Sequence, residues 1–348
     1  MTGQQVIRLS VVIPNYNHAS VIGEAIGALA TQDPAPDEIV VVDDGSSDNS
    51  LGQLAILAQR IPSLRIVALP QNVGVINALN RGLAEVRGEF IYFGAADDLV
   101  LPGLFGALLP LLENNPTIAF ASAEGIVFDI ETRQHSFRPP IRPAHVDKVF
   151  SPAAAAELFR HVDNWILTGA AIVRCSMLRQ AGGFDANLSG SADACLLRQL
   201  AFKHGAAFSP HVGMIWRIST NGVSRLQAAD ADKNLAVLDW ALKSLAKDPA
   251  IAPWYIPLFE RRWRFSVGRL AAQSRPMNLA ILERVAARGS TGRSVLRLAA
   301  HVGGPIGRVM AISWLVARER PMSLFRLVDT VLKRQRNVTF PVKNVPLS

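Results

Sequence analysis

The chain has 348 residues, of which 49% are hydrophobic and 18% charged, with two cysteines and a formal net charge of +8. That apolar fraction excludes global disorder and supports one large domain, or a main domain with a smaller appendage. Cys175 and Cys195 form no CxxC pattern, which argues against a disulfide framework or structural zinc site and fits a reducing, cytoplasmic setting.

The opening residues MTGQQVIRLS lack both a basic n-region and a long apolar stretch, so no signal peptide is expected. VIRLSVVIPNY at 6–16 then predicts a buried strand, because apolar and β-branched residues run together up to Pro14. A helix over 20–31 follows from the spacing of Val21, Ile22, Ala25, Ile26 and Leu29, with Ser20 as its N-cap. DEIVVVDD is a second strand, DNSLGQLAILAQRI a helix, LRIVALP a third strand, GVINALNRGLAEVRG a helix and EFIYFGAADD a fourth strand. Strands alternating with helices of this length predict βαβ units, and continuously apolar strands suit a sheet covered on both faces. The expected fold class is therefore α/β with a mainly parallel central sheet.

LPGLFGALLPLLENNP reads as a further helix and IAFASAEGIVFD as a further strand. Residues 133–150, rich in proline and charge, read as a long surface excursion beside a site. From Asn164 the chain returns to strand, helix, turn and helix, and AAFSPHVGMIWRIS is the last strand. Its character changes near residue 228. The expected organisation is a domain over 1–227 and a basic helical region over 228–348. Residues 1–249 hold 19 Lys/Arg and 24 Asp/Glu, whereas 250–348 hold 17 and 4, an excess of +13. Such a tail predicts contact with an anionic partner or, alternatively, a helical layer solvated through its arginines. Its most apolar stretch, VMAISWLVA at 309–317, is far short of the about 20 residues that span a bilayer. An interfacial helix on an anionic membrane surface fits that length better. Nucleic acid is not an expected partner, because the basic excess is confined to the tail and no recognised binding motif accompanies it.

Open parallel sheets bind ligands beyond the carboxyl ends of their strands. There the sequence places Pro14, Asn15 and Tyr16, then Asp43 and Asp44, then Asp97 and Asp98. No GxGxxG follows the first strand and no GxxxxGK[ST] occurs, which argues against a dinucleotide site and a P-loop. Each group has a plainer reading. Asp43 and Asp44 could cap the helix near Asp48, Tyr16 could be a core aromatic, and Asp97–Asp98 could cap the next helix. Their shared location at the strand ends of one sheet favours chemistry instead. A tyrosine ring can stack on a base, a carboxylate can accept a base N–H or ribose hydroxyl, and a carboxylate pair can hold a divalent cation against a diphosphate. Hard oxygen ligands favour Mg²⁺ or Mn²⁺ over zinc.

VVIPNYN at 11–17, EIVVVDDGSSDNS at 38–50, QNVGVINALNRGLAEVRGEFIYFGAADDLVLP at 71–102 and GGFDANLSGSADACLLRQLA at 182–201 together resemble the family 2 glycosyltransferases over roughly residues 8–225. The resemblance implies a GT-A fold, a single Rossmann-like domain, and inverting transfer from a nucleoside-diphosphate sugar with Mn²⁺ or Mg²⁺. It assigns Pro14 and Tyr16 to the nucleotide pocket, Asp43 or Asp44 to the base and ribose, and Asn72, Gly74 and Asn80 to the adjoining loop and helix. It makes Asp98 the metal ligand, puts Asp97 near the ribose or donor sugar, and makes Asp193 the general base. Trp165 is either a sugar-stacking platform or core, and the alternative reading of Asp193 is a cap of its helix.

The chain departs from the family pattern at Ala95 and Ala192, where carboxylates are usual, at Leu79 in place of an arginine, and in Trp216–Ser219, where Arg217 remains to offset diphosphate charge. The resemblance leaves two competing readings open: a catalytically altered carbohydrate- or membrane-binding member of the fold, and a sugar-nucleotide nucleotidyltransferase. The latter should carry a glycine- and arginine/lysine-rich phosphate loop where this chain has NYNHASVIG. The basic tail points to a glycan or lipid-linked acceptor at the cytoplasmic face of the inner membrane.

Overall fold

The computed structural model describes residues 8–219 and 229–319. Strands β1 (Leu9–Asn15), β2 (Glu38–Asp43), β3 (Leu64–Ala68) and β4 (Phe90–Phe93) pair in parallel in the order β3-β2-β1-β4. Every residue of β2 and β4 is buried. Their side chains alternate between two cores: Val12, Val40, Val42 and Ile91 enter one, while Val11, Val41 and Tyr92 enter the other. This two-sided burial explains why the strands read as unbroken apolar runs.

The sheet continues through β9 (Ala171–Arg174), β6 (Phe120–Asp129), β10 (Ala206–Ile218) and β5 (Leu99–Val100), with β7 (His135–Arg138) on β6 and β8 (Lys148–Phe150) on β10. β6 and β10 run in the direction of β1–β4, whereas β5, β7, β8 and β9 run against it. The antiparallel β9 starts beside the carboxyl end of β4, with Ala171 opposite Ser122 of β6. It thereby delivers the preceding turn, Thr168–Ala170, to the carboxyl edge of the sheet.

Several local expectations change. β4 ends at Phe93, five residues before Asp98, because the Gly94 N–H already closes on Val12 and the chain turns at Ala95–Asp98 into β5. Helix α1 (Ile22–Ala30) has no side-chain cap from Ser20; the His18 carbonyl accepts the Val21 and Ile22 N–H groups instead. Helices α2 (Ser50–Arg60), α3 (Val75–Glu85) and α4 (Leu104–Glu113) follow the predicted spacing. The excursion at 133–150 is tied to the sheet by β7, by β8 and by the paired bonds of Arg142 to buried Glu124 (2.9 and 2.8 Å).

Helices α5 (Pro152–His161), α6 (Cys175–Gln180) and α7 (Ala192–His204) complete the sheet's cover. Beyond them lie α8 (Ala231–Lys247), α9 (Tyr255–Gln273), α10 (Leu279–Ile281) with a following π turn, α11 (Gly289–Val302) and α12 (Gly304–Glu319). The expected boundary at 227/228 lies outside the described residues. α8 and α9 insert Val237, Leu238, Tyr255 and Phe259 into the core that holds Phe159, Trp165 and Phe202. A separate core unites α9 with α11 and α12 through Val267, Leu296 and Leu315.

A buried charge joins these layers. Asp163 accepts from Arg198 Nε of α7 (2.5 Å) and from the Tyr255 hydroxyl of α9 (3.0 Å), with Arg262 3.5 Å away. Burial alone would raise its carboxyl, but Arg198 and Arg262 hold it below the usual range. Asp163→Asn should cost about 3–5 kcal/mol in denaturant unfolding, because it leaves buried guanidinium charge uncompensated. The depressed carboxyl stabilises the fold fully above about pH 3.9 and loses that effect as pH falls further, so the gap between wild type and variant should close on acidification. A loss within about 0.5 kcal/mol at neutral pH, the range of a surface substitution, would show that this network does not hold the layers together.

Candidate active site

The β1–β2 register sets Asn15 beside Asp43. Asn15 Nδ2 donates to Asp43 Oδ2 (2.7 Å), and Ser46 donates its N–H to Oδ1 (3.0 Å) and its hydroxyl to Oδ2 (2.7 Å). Asn17, at φ 58°, accepts the Ser47 and Asp48 N–H groups on its side-chain oxygen (2.8 and 3.2 Å), locking the two strand-end loops together. Asp44 accepts from the Val73 and Gly74 N–H groups (2.7 and 2.9 Å), which holds the start of α3. At Gly45, with φ +70°, an added Cβ would lie 2.7 Å from the Gln71 carbonyl carbon, so only glycine lets the 71–74 loop approach. Capping of α2 falls to Asp48, whose carboxylate accepts the Ser50 N–H (2.9 Å).

Both oxygens of Asp43 and of Asp44 are thus engaged in buried, loop-holding bonds. Pro14 is part of β1, and Asn72 accepts the Gly74 N–H (3.1 Å) from an exposed position. The ring that this wall offers to solvent is Tyr16, 43% exposed.

The second wall is the turn between β4 and β5. Asp97 and Asp98 are half-buried there, and α4 begins only after Gly103, so neither caps it. Asp98 Oδ1 accepts the Arg217 backbone N–H (2.9 Å), joining the turn to the end of β10. Asp98 Oδ2 faces Gly169, where an added Cβ would come within 4.0 Å of it and within 2.8 Å of the Met214 sulfur. The Tyr92 hydroxyl fixes this approach by donating to the Gly169 carbonyl (2.7 Å). Burial, and then the Asp97 charge, push the Asp98 carboxyl well above its ordinary range. Arg217 turns its guanidinium to Glu24 in the first turn of α1 (2.7 Å), leaving Nη2 buried without a hydrogen-bond partner among the described residues.

Among the described residues no cluster of three or more His, Cys, Asp or Glu is placed to hold a metal. Asp97 and Asp98 Oδ2 make no hydrogen bond there, so they fit a cation of the Mg²⁺ or Mn²⁺ type. Such an ion takes one or two carboxylates and completes its shell with water and substrate phosphate.

Asp193 lies in the first turn of α7, half-buried, with Oδ1 accepting the Ala194 N–H (2.6 Å). It makes no hydrogen bond or ion pair with the other candidate residues. Its approach loop is clamped from two sides. Asn80 of α3 exchanges bonds with the Phe184 backbone (2.8 and 2.9 Å), and Trp240 of α8 donates to Asp185 (2.5 Å). Ala192 is buried in the core, as is Trp165. Trp165 packs among Phe120, Phe150, Phe159 and Phe208, which settles its alternatives in favour of core and removes it as a sugar platform. His211 Nε2 lies 3.2 Å from the Pro102 carbonyl.

Sequence reasoning missed Glu24, Asn17 and Tyr92. An acidic residue one turn into the first helix was the available signal for Glu24.

The glycosyl transferase family 2 model matches residues 10–174. The chain is 28% identical over 263 residues to an uncharacterized protein of Mycobacterium tuberculosis, covering 72% of this chain and 81% of that one. It is also 28% identical over 242 residues to the succinoglycan biosynthesis protein ExoO of Rhizobium meliloti, covering 68% of each. Three further curated relatives, 32–33% identical, are matched over only 34–35% of their own length. In fold, the chain is similar to the mannosyltransferase PcManGT of Pyrobaculum calidifontis, solved with GDP-Man and Mn²⁺, at a TM-score of 0.58 and 20% identity over 95% of this chain and 87% of that one. With these matches added to the sheet and the DDGSS and Asp97–Asp98 walls, residues 10–174 carry the family 2 glycosyltransferase pattern, on a fold like that of PcManGT.

Proposed function

We propose that the chain is an inverting, metal-dependent transferase that moves a sugar from a nucleoside-diphosphate donor to a hydroxyl of a glycan or lipid-linked acceptor. The observation that carries this reading is the Asp98 junction. One carboxylate oxygen is held by the Arg217 N–H while the other faces the Gly169 turn without a hydrogen bond. Tyr16 would stack on the base, with Asp43, Asp44, Asn72 and Gly74 shaping the pocket and Asp97 lying near the ribose or donor sugar. Asp98 would hold the cation, which neutralises charge on the departing diphosphate, and Arg217 Nη2 would bind a phosphate oxygen.

Asp193 would take the proton from the acceptor hydroxyl as its oxygen bonds to C1 of the sugar and the bond from C1 to the diphosphate oxygen breaks. One attack from the face opposite the leaving group inverts C1. We assign 1–227 to catalysis and 228–348 to the acceptor or membrane side. Support for a polysaccharide acceptor comes from ExoO, a succinoglycan biosynthesis protein, and support for donor and metal from PcManGT, solved with GDP-Man and Mn²⁺. The proposed setting is the cytoplasmic face of the inner membrane. Ala95 and Ala192 favour a second reading, in which the fold has kept donor binding and lost transfer.

Asp98→Asn should shrink the gain in affinity that Mn²⁺ gives to UDP, GDP or dTDP in calorimetry; an unchanged gain removes Asp98 as the ligand. Asp193→Asn should lower acceptor-dependent transfer by about 10²–10⁴-fold with donor affinity nearly intact. Transfer close to wild type would eliminate Asp193 as the base, and loss of donor binding with transfer would recast it as a donor-positioning residue. Glu24→Gln should raise the donor KM by about tenfold, the value of a hydrogen bond to a charged group, and leave kcat less changed. Glu24→Asp should recover part of the loss. Equal KM values would show that Glu24 does not position Arg217.

A further inference from the structure

We infer that the outward face of the α11–α12 hairpin is a docking surface for an anionic lipid bilayer. Three of the four most exposed large apolar side chains among the described residues lie on it: Ile306 (69%), Val309 (63%) and Leu298 (54%). Val302 adjoins them across the Gly303–Gly304 turn. α12 buries Gly307, Ala311 and Leu315 at four-residue steps as it packs on α9 and α11. On its opposite side Ile306, Val309, Ser313 and Val316 recur every three or four residues. The helix is apolar on both sides, and among the described residues one of those sides has no protein against it.

Charge selects the occupant. Residues 289–318 contain Arg293, Arg297, Arg308 and Arg318 and no Asp or Glu. Arg297 pairs with Glu283, whereas Arg293, Arg308 and Arg318 make no ion pair among the described residues. A second copy docked on the same face would bring guanidinium groups against each other. Residues 320–348 carry six Lys/Arg against one Asp, so that segment meets the same repulsion. A layer of anionic headgroups over hydrocarbon satisfies both features, taking Ile306 and Val309 below the interface while the arginine stems extend to the phosphates.

The inference rests on the proposed function only for its purpose, access to a membrane-held acceptor. Vesicle binding needs neither donor nor acceptor, so either reading can fail alone. The full chain should co-sediment with phosphatidylcholine vesicles containing phosphatidylglycerol. Binding should fall when that lipid is omitted and when salt is raised, since screening acts over roughly 8 Å at physiological ionic strength. The double variant Ile306→Ser, Val309→Ser should lose about tenfold or more in partition coefficient. Arg308→Gln should lose about fivefold. Both changes lie on the exposed hairpin, so circular dichroism should match wild type. No binding to anionic vesicles at low salt overturns the inference, as does binding that neither variant weakens. It is equally overturned if light scattering finds a dimer that the double variant converts to monomer, because the face then belongs to a second copy.

Discussion

A carboxylate buried in a protein interior must be met by donors from whatever surrounds it, and Asp163 imposes that requirement on three layers at once. It follows α5, accepts from Arg198 in α7 and is approached by Tyr255 and Arg262 in α9. The helix that carries Asp193 is thereby tied to the C-terminal helices and to the core around Trp165. Its loop receives a further hold from α8 through Trp240 and from α3 through Asn80. The region beyond the last strand therefore positions the candidate base as well as following it in sequence.

The acidic residues at the strand ends divide into two kinds. Asp43 and Asp44 spend their oxygens on backbone and side-chain donors, and they set the shape of the wall on which Tyr16 stands. Asp97 and Asp98 sit where the chain turns away from the sheet, and among the described residues Asp97 and Asp98 Oδ2 make no hydrogen bond, while Asp98 Oδ1 accepts the Arg217 N–H. Buried carboxylates that are fully hydrogen-bonded make a rigid scaffold, whereas a crowded pair with spare lone pairs favours a cation. The adjacent doublets look alike in sequence and differ in what surrounds them.

The strands and the places where they end were legible because two-sided burial writes itself as unbroken apolar runs. The positions of the carboxylate doublets followed from those ends. Finer features depended on partners far away in the chain. Arg217 and Glu24 are 193 residues apart, and no local spacing announces their bond. Trp165 lies near the site in sequence, yet four phenylalanines from separate elements enclose it. Ser20 matched a capping residue type, but the His18 carbonyl took the helix's first N–H groups. The excursion at 133–150 read as loop because its strands are only four and three residues long and its proline content is high.

The shared core has a bearing on where the molecule can be divided. The match to the family model stops at residue 174, but the aromatic cluster around Trp165 is completed by Phe202 and Phe208, and then by Tyr255 and Phe259 from α9. A polypeptide ended at residue 174 would leave Phe159 and Trp165 facing water where those rings belong. The stretch that the family model matches and the stretch that shares this core are different lengths of the chain, and the longer one includes α7, α8 and α9.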